Sequence, residues 1–223
     1  MHVAREIDQS KDRVYTVFYV EGLQNFGRNF LCTISTTVRD DDLKTKVHSR
    51  ALLDSGAQVN AISKRLVDEL NAKEIETENY RIKGFKPNEE VVTNRAVKVW
   101  IGNRKECGDL RPIDCLVIEN CDWTVPVPSN LPKWLKNIQD HMADPEILTA
   151  KDLPFELLIG NADCMDILGD KIYSQKRFVI QDSKFGLVLG GTCPGVFSKG
   201  PEIDRMPISD YMIDEDIEPI DRI

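Results

Sequence analysis

The segment Asp54-Ser55-Gly56-Ala57 contains the residues of this 223-residue sequence that are best suited to chemistry. Its aspartate directly follows the apolar run Ala51-Leu52-Leu53, so we expect the carboxylate at the point where a buried strand ends. A carboxylate in such a place is costly unless it is paired or hydrogen-bonded. An isolated Asp-Ser-Gly is also typical of an ordinary solvated turn. Here, however, the chain continues through residues 58–63 into a predicted helix and does not return as a hairpin.

Two aspartates within hydrogen-bond distance of each other can activate a water molecule against a peptide bond. The two carboxyl groups share one proton, because two like charges so close cannot both ionise. The ionised partner draws a proton from the water, and the protonated partner donates to the carbonyl oxygen of the substrate. Asp54 is then the candidate catalytic residue. The Ser55 hydroxyl would hold the carboxylates in place, and Gly56 would leave room for backbone N–H groups and substrate.

Other chemistries fit the sequence less well. Ser55 could act as a nucleophile with His48, but no Gly-x-Ser-x-Gly elbow surrounds it. The glycines between Gly186 and Gly195 lack the Lys-Ser/Thr of a phosphate-binding loop, so we expect a tight β turn there. Cys164 could be a reactive thiol, although a buried small hydrophobe is the commoner role for such a cysteine.

Composition narrows the possible function classes. The 29 Lys and Arg against 37 Asp and Glu give a net charge of -8, which argues against a role in coating nucleic acid. No apolar run approaches the length of about 18 residues typical of a membrane span. The six cysteines form no CxxC pair and have no histidines at ligand spacing. We therefore expect free thiols, no metal and no cofactor, no membrane association, and an intracellular, cytoplasmic location, with the nucleus also open.

Short strands dominate the predicted secondary structure. They are expected at residues 14–20, 30–38, 45–53, 80–85, 90–101, 116–118, 153–160, 178–180 and 185–189. Helical spacing predicts one short helix over residues 61–70, with Ser63 as its N-cap, and further helical turns are expected up to Met142 and at residues 164–168. Many short strands with few helices predict a mainly β fold built on a closed barrel.

The chain divides into three expected parts. Residues 1–13 are polar and read as a flexible leader, residues 14–200 form the folded domain, and residues 201–223 form an acidic tail. From Glu202 to Asp221 the tail carries eight acidic residues and one basic residue, Arg205. Such a segment is either a solvated tail or a docking strip for a protein partner.

Two separate segments resemble signatures of one protease family. Residues 50–63, read as RALLDSGAQVNAIS, resemble the active-site strand of the peptidases of Pao/BEL-type retrotransposons, a branch of the retropepsin-like aspartic proteases. Residues 157–163, read as LLIGNAD, resemble the second signature, an apolar run ending in glycine that packs beside the active-site loop. Residues 131–145 and 185–191 also match what such sequences carry around that signature. The resemblance covers about residues 30–195.

The resemblance implies a retropepsin-like closed barrel with a flap hairpin that closes over a peptide cleft. Asp54 would be catalytic, with Ser55, Gly56, Ala57 and Gly160 supporting it. The best flap is the hairpin Tyr80–Trp100 with Gly84 and Phe85 at or near its tip, since a moving tip needs small, flexible residues. An ordinary surface hairpin is the alternative for this segment.

This chain departs from single-chain enzymes of this chemistry, which carry two Asp-Thr/Ser-Gly elements. Only one is present here, because Asp182-Ser183 is followed by lysine. The second aspartate would have to come from another copy, so a homodimer is expected. The insertion at about residues 102–152 exceeds what a minimal enzyme needs and could cover the cleft, remodel the dimer interface or prevent dimerisation.

Two functions therefore follow as expectations. The first is an aspartic endopeptidase that cleaves extended peptides, including its own polyprotein. The second is a catalytically silent retropepsin-fold scaffold in a host protein, which dimerises or binds peptides and uses the acidic tail for docking.

Overall fold

The structure is a computed structural model, and it describes residues 13–16, 29–86, 89–104, 109–119, 121–127, 131, 133–150, 152–175 and 178–192. The strands in these ranges are β1 Arg13–Thr16, β2 Asn29–Phe30, β3 Thr33–Asp40, β4 Lys46–Leu53, β5 Asn60–Ser63, β6 Glu74–Lys86, β7 Glu89–Asn103, β8 Leu110–Ile118, β9 Thr124–Pro126, β10 Asp152–Pro154, β11 Leu157–Ile159, β12 Leu168–Gln175, β13 Phe178–Ser183 and β14 Val188–Thr192. The helices are α1 Lys64–Leu70 and α2 Asn161–Ile167, with 3-10 helices at Lys133–His141 and Pro145–Leu148.

Six strands close into a barrel. Neighbouring pairs run in the order β7, β3, β4, β11, β5 and β8, and β8 pairs back to β7. β1 extends the same sheet by pairing with β6 beyond the ring. The prediction of a mainly β fold with a closed barrel and few short helices is confirmed.

A smaller sheet stands beside the barrel. It has four strands in the order β12, β13, β14 and β2. The apolar patterns at residues 178–180 and 185–189 predicted β13 and the start of β14, whereas β12 was not predicted. β9 and β10 form a separate two-stranded ribbon, and this edge position suits Pro126 because proline has no backbone N–H to donate to a central ladder.

The first helix begins three residues later than its hydrophobic spacing predicts. Ala61 and Ile62 belong to β5, where they pair with Leu158 and Leu157 of β11. Ser63 has extended backbone angles and its hydroxyl accepts a hydrogen bond from the Leu66 N–H at 3.1 Å, so the predicted N-cap is correct. No helix in the described ranges is long and apolar enough to cross a membrane.

The hydrophobic core consists of two clusters on opposite faces of the barrel strands. Neighbouring residues of β11 divide between them: Leu158 belongs to one cluster, and Leu157 and Ile159 belong to the other. This alternation follows from the two-residue period of a strand. The described part of the insertion packs into the Leu158 cluster through the buried side chains Leu135, Ile138, Met142 and Ile147.

The predicted flap segment is a long hairpin of β6 and β7, which pair antiparallel up to Lys86 and Glu89. Gly84 and Phe85 are among the last residues of β6, which ends at Lys86. The turn at positions 87 and 88 falls outside the described residues. So do the leader up to residue 12 and the whole acidic tail.

Candidate active site

Asp54 lies where two parallel strands end side by side. β4 pairs in parallel with β11, so that Leu53 is opposite Ile159. The Asp54 backbone N–H continues this ladder by donating to the Ile159 carbonyl at 2.9 Å, and the Leu53 N–H on the preceding residue donates to the Cys32 carbonyl at 2.8 Å. Backbone hydrogen bonds therefore fix the position of the candidate catalytic residue from both sides.

A tight loop shapes the surroundings of the Asp54 carboxylate. The Gly56 N–H donates to Asp54 Oδ1 at 2.9 Å, and the Ala57 N–H donates to the Asp54 carbonyl at 3.1 Å. The Asp54 side chain is half-buried, while Ser55 and Gly56 are exposed. No described protein group donates to Asp54 Oδ2. The carboxylate is thus oriented by one oxygen and can reach a water molecule, a substrate or a second carboxyl group with the other.

Gly160 allows the loop after β4 to approach the chain after β11. A Cβ at this position would lie 2.6 Å from the Val59 carbonyl oxygen and 3.1 Å from the Ala57 carbonyl oxygen. The next N–H, that of Asn161, donates to the Ala57 carbonyl at 2.8 Å. The segment singled out in the sequence as a second signature therefore contacts the Asp54 loop directly, and Ala57 and Gly160 are both buried at that contact.

Asn60 joins three segments around this loop. Its amide nitrogen donates to the Asp163 carboxylate at 2.7 Å and to the Asp114 carbonyl at 3.0 Å, and its Oδ1 accepts from the Gly160 N–H at 2.8 Å. Sequence reasoning did not single out this residue. The available signal was an asparagine inside an apolar strand segment, where asparagine is disfavoured unless its amide is used.

Arg50, four residues before Asp54, forms a buried ion pair with Asp144. The Arg50 Nε lies 2.6 Å from Asp144 Oδ2, and the two side chains are 10% and 1% exposed. Glu146 accepts a further bond from Arg50 at 2.6 Å. Burial by itself would lower the Arg50 pKa, but the hydrogen bonds and charges of Asp144 and Glu146 outweigh it, so the pKa is raised. This pair ties the insertion to the strand that carries Asp54.

His48, the possible partner of a Ser55 nucleophile, is not brought to this site. His48 is exposed and bonded to the Thr37 hydroxyl at 3.1 Å, and the strand between it and Ser55 places them roughly 20 Å apart at about 3.3 Å per residue. Burial, with smaller contributions from Cys32 and Asp54, raises the pKa of the Cys164 thiol to about 11. This value favours the role of a small core residue.

Gly186 lies in a turn, as the sequence predicts for the start of the glycine-rich segment. Its φ of +112° suits glycine, and its N–H donates to the Ser183 carbonyl at 3.1 Å. Gly190 and Gly191 belong to β14, and positions 193–195 lie outside the described residues. Within the described ranges, no group of three or more His, Cys, Asp and Glu side chains could hold a metal ion.

A cleft of about 290 Å³ opens beside the Asp54 loop. We call it the side cleft, and it is lined by Gln58, Val59, Asn60, Tyr80, Ala96, Asp114, Cys115, Leu116, Gly160, Ala162 and Asp163. Asp54 is not among these residues. The cleft therefore lies between the loop that leaves Asp54, the base of the hairpin and the start of α2.

Comparison of the chain with protein-family models finds no match, and comparison with curated proteins finds none either. The resemblance of residues 50–63 and 157–163 to retropepsin-like proteases therefore stays a prediction from the sequence.

Proposed function

We propose that this chain is an aspartic endopeptidase of the retropepsin-like type, which cleaves extended peptides as a homodimer with one Asp54 from each subunit. The observation that carries the proposal is the junction of β4 and β11. There the half-buried Asp54 carboxylate follows the end of β4, where Ala51 and Leu53 are buried, and its loop is hydrogen-bonded to the Gly160 segment.

The chemistry needs two carboxyl groups that share one proton. The ionised Asp54 accepts a proton from a water molecule while the water oxygen bonds to the peptide carbonyl carbon. The protonated Asp54 of the second subunit donates to the carbonyl oxygen at the same time. Collapse of this intermediate breaks the C–N bond. The amine nitrogen takes the proton that the first Asp54 received from the water, and the second Asp54 recovers a proton from a hydroxyl of the intermediate. Asp54 is suited to this exchange because only one of its oxygens has a described protein donor, the Gly56 N–H.

The alternative is a catalytically silent scaffold with the same fold. A scaffold has no need to keep Asp54 open to a ligand, and a covered carboxylate would favour it. The half-buried carboxylate and the exposed Ser55 and Gly56 favour the enzyme, because these groups can be reached from solution.

The test is peptide cleavage by the purified protein at about pH 4–6. Asp54→Asn keeps the size of the side chain and removes the shared proton, so we expect cleavage to be abolished. Asp122→Asn, at an exposed position outside the site, is the matched control and should cleave normally. Cleavage that persists in Asp54→Asn, or no cleavage by the unaltered chain at any protein concentration, would overturn the proposal.

A further inference from the structure

We propose that the side cleft is a specificity pocket for a lysine or arginine side chain of the substrate, with Asp114 as the opposing charge. This inference rests on the proposed function, because it takes the occupant from an extended peptide held at Asp54. It adds the class of substrate, which the Asp54 geometry alone does not give.

The position of the side cleft suits a substrate side chain. Residues 58–60 at one wall continue directly from the Asp54 loop, and Tyr80 and Ala96 at another wall belong to the β6–β7 hairpin. A peptide lying between the hairpin and Asp54 passes this opening. Since Asp54 does not line the cleft, the occupant is not next to the scissile bond. An extended chain advances about 3.3 Å per residue, so the occupant lies a few residues along.

The walls of the side cleft suit a long aliphatic stem. Val59, Tyr80 and Ala96 pack against the Leu158 core cluster, and Leu116 belongs to it. All four line the cleft and supply apolar surface there. Lysine and arginine carry three or four methylene groups that lie against such surface while the charged head reaches a polar group.

The charges of the side cleft favour a cationic head. Two acidic residues line it, Asp114 and Asp163, and no lysine or arginine does. Asp163 is already bonded to Asn60 at 2.7 Å and to Arg111 at 3.4 Å. Asp114 is exposed, and no described cation lies within ion-pair distance of it. The unneutralised charge of the cleft is therefore that of Asp114.

The nearest cation on the same sheet face is held elsewhere. Lys98 is directly opposite Asp114 in the β7–β8 ladder, so the two side chains share a face. The Lys98 amino group instead lies 3.5 Å from Asp41 and 5.5 Å from the centre of the Trp100 ring. Asp114 remains open to a cation from outside the chain.

The experiment uses a neutral substrate peptide in which one residue at a time is replaced by lysine, norleucine or glutamate. Norleucine keeps the stem of lysine and lacks its charge. At one position we expect lysine to raise kcat/KM about tenfold over norleucine, equivalent to about 1.4 kcal/mol. Asp114→Asn should remove this preference by lowering kcat/KM for the lysine peptide to that for the norleucine peptide. Asp114→Lys should reverse it in favour of glutamate, and Asp122→Asn should behave like the unaltered chain.

Binding of the same peptides to the Asp54→Asn protein, measured by fluorescence anisotropy, separates the two proposals. A lysine preference in binding that depends on Asp114 supports the pocket even where the unaltered chain cleaves nothing. If peptides are cleaved without a preference for lysine at any position, the pocket proposal is overturned and the protease proposal stands. An equal fall in binding or kcat/KM for the lysine and norleucine peptides in Asp114→Asn also overturns the pocket proposal. The residue would then act through the fold and not through its charge.

Discussion

Asp54 is held by its backbone more than by its side chain. Its N–H and carbonyl both take part in hydrogen bonds with neighbouring segments, and its carboxylate receives one backbone donor, the Gly56 N–H. Such an arrangement orients the carboxylate without neutralising it. The close approach of Gly160 to the loop helps to hold it in this position.

Gly160→Ala is expected to damage the site through the backbone. The new methyl group would lie 2.6 Å from the Val59 carbonyl oxygen, which cannot move without displacing the Asp54 loop. We expect the free energy of unfolding to fall by about 1–3 kcal/mol, measured by urea denaturation, together with a loss of cleavage.

Gly102→Ala is the matched control for this change. Its methyl group would meet the end of the Leu110 side chain at 2.7 Å, with the nearest backbone atom, the Asp109 carbonyl oxygen, at 3.4 Å. A flexible side chain can turn aside, so the cost should be smaller and cleavage should persist. Equal effects of the two substitutions would contradict the role assigned to Gly160.

At the scale of elements, the Arg50–Asp144 pair joins the insertion to β4. Adjacent backbone bonds reinforce it, since the Ser35 N–H donates to the Ala143 carbonyl at 2.9 Å and the Ala143 N–H donates to the Leu187 carbonyl at 2.9 Å. The segment around Asp144 thus sits between the barrel and the small sheet. The described part of the insertion is a structural support of the strand that carries Asp54.

Arg50→Met is expected to destabilise the fold strongly. It leaves the Asp144 carboxylate, which is 1% exposed, without its opposing charge, and such a loss costs about 3–5 kcal/mol. The double variant Arg50→Met, Asp144→Leu removes both charges and should recover much of this loss in urea denaturation. Lys44→Ala breaks an exposed pair with Asp42 and should lower the free energy of unfolding far less than Arg50→Met does. A double variant as unstable as Arg50→Met would contradict the account.

Local patterns predicted much of the barrel and of its site. The apolar run before Asp54, the alternation in the hairpin and the Ser63 cap depend on neighbours in the chain, and each was recognisable from the sequence. Ala61 and Ile62 were predicted as helix, but they form a strand. The local sequence could not show this, because the partner strand β11 lies almost a hundred residues away. The roles of Asn60 and of the Arg50–Asp144 pair were not predicted for the same reason, because they depend on contacts between distant segments.

At the scale of the whole molecule, the described cysteines Cys32, Cys115, Cys121 and Cys164 are free thiols. Burial raises the pKa of Cys32, of Cys164 to about 11, and of Cys115 well above its usual range, with nearby carboxylates adding to the effect for Cys115 and Cys164. These thiols are therefore protonated at neutral pH and enclosed by the fold.

Two measurements check this state of the thiols. At pH 8 we expect iodoacetamide to modify Cys115 and Cys164 far more slowly in the native protein than in urea, as followed by peptide mass spectrometry. The folded state also holds these protons more tightly than the unfolded chain, whose thiols ionise near 9.0. The free energy of unfolding should therefore be unaffected by these groups below pH 9 and should fall between pH 9 and 11. Equal modification rates in native and unfolded protein would contradict their burial.

The proposed reaction depends on a homodimer, because it needs two aspartates and one chain supplies one Asp54. Two copies joined in a single polypeptide by a flexible linker test it most directly, with the Asp54→Asn substitution in neither copy, in one copy or in both. We expect cleavage only by the unsubstituted form, since a single aspartate cannot supply both the ionised and the protonated group. Half of the full activity in the singly substituted form would mean that each copy works alone, and would contradict the account.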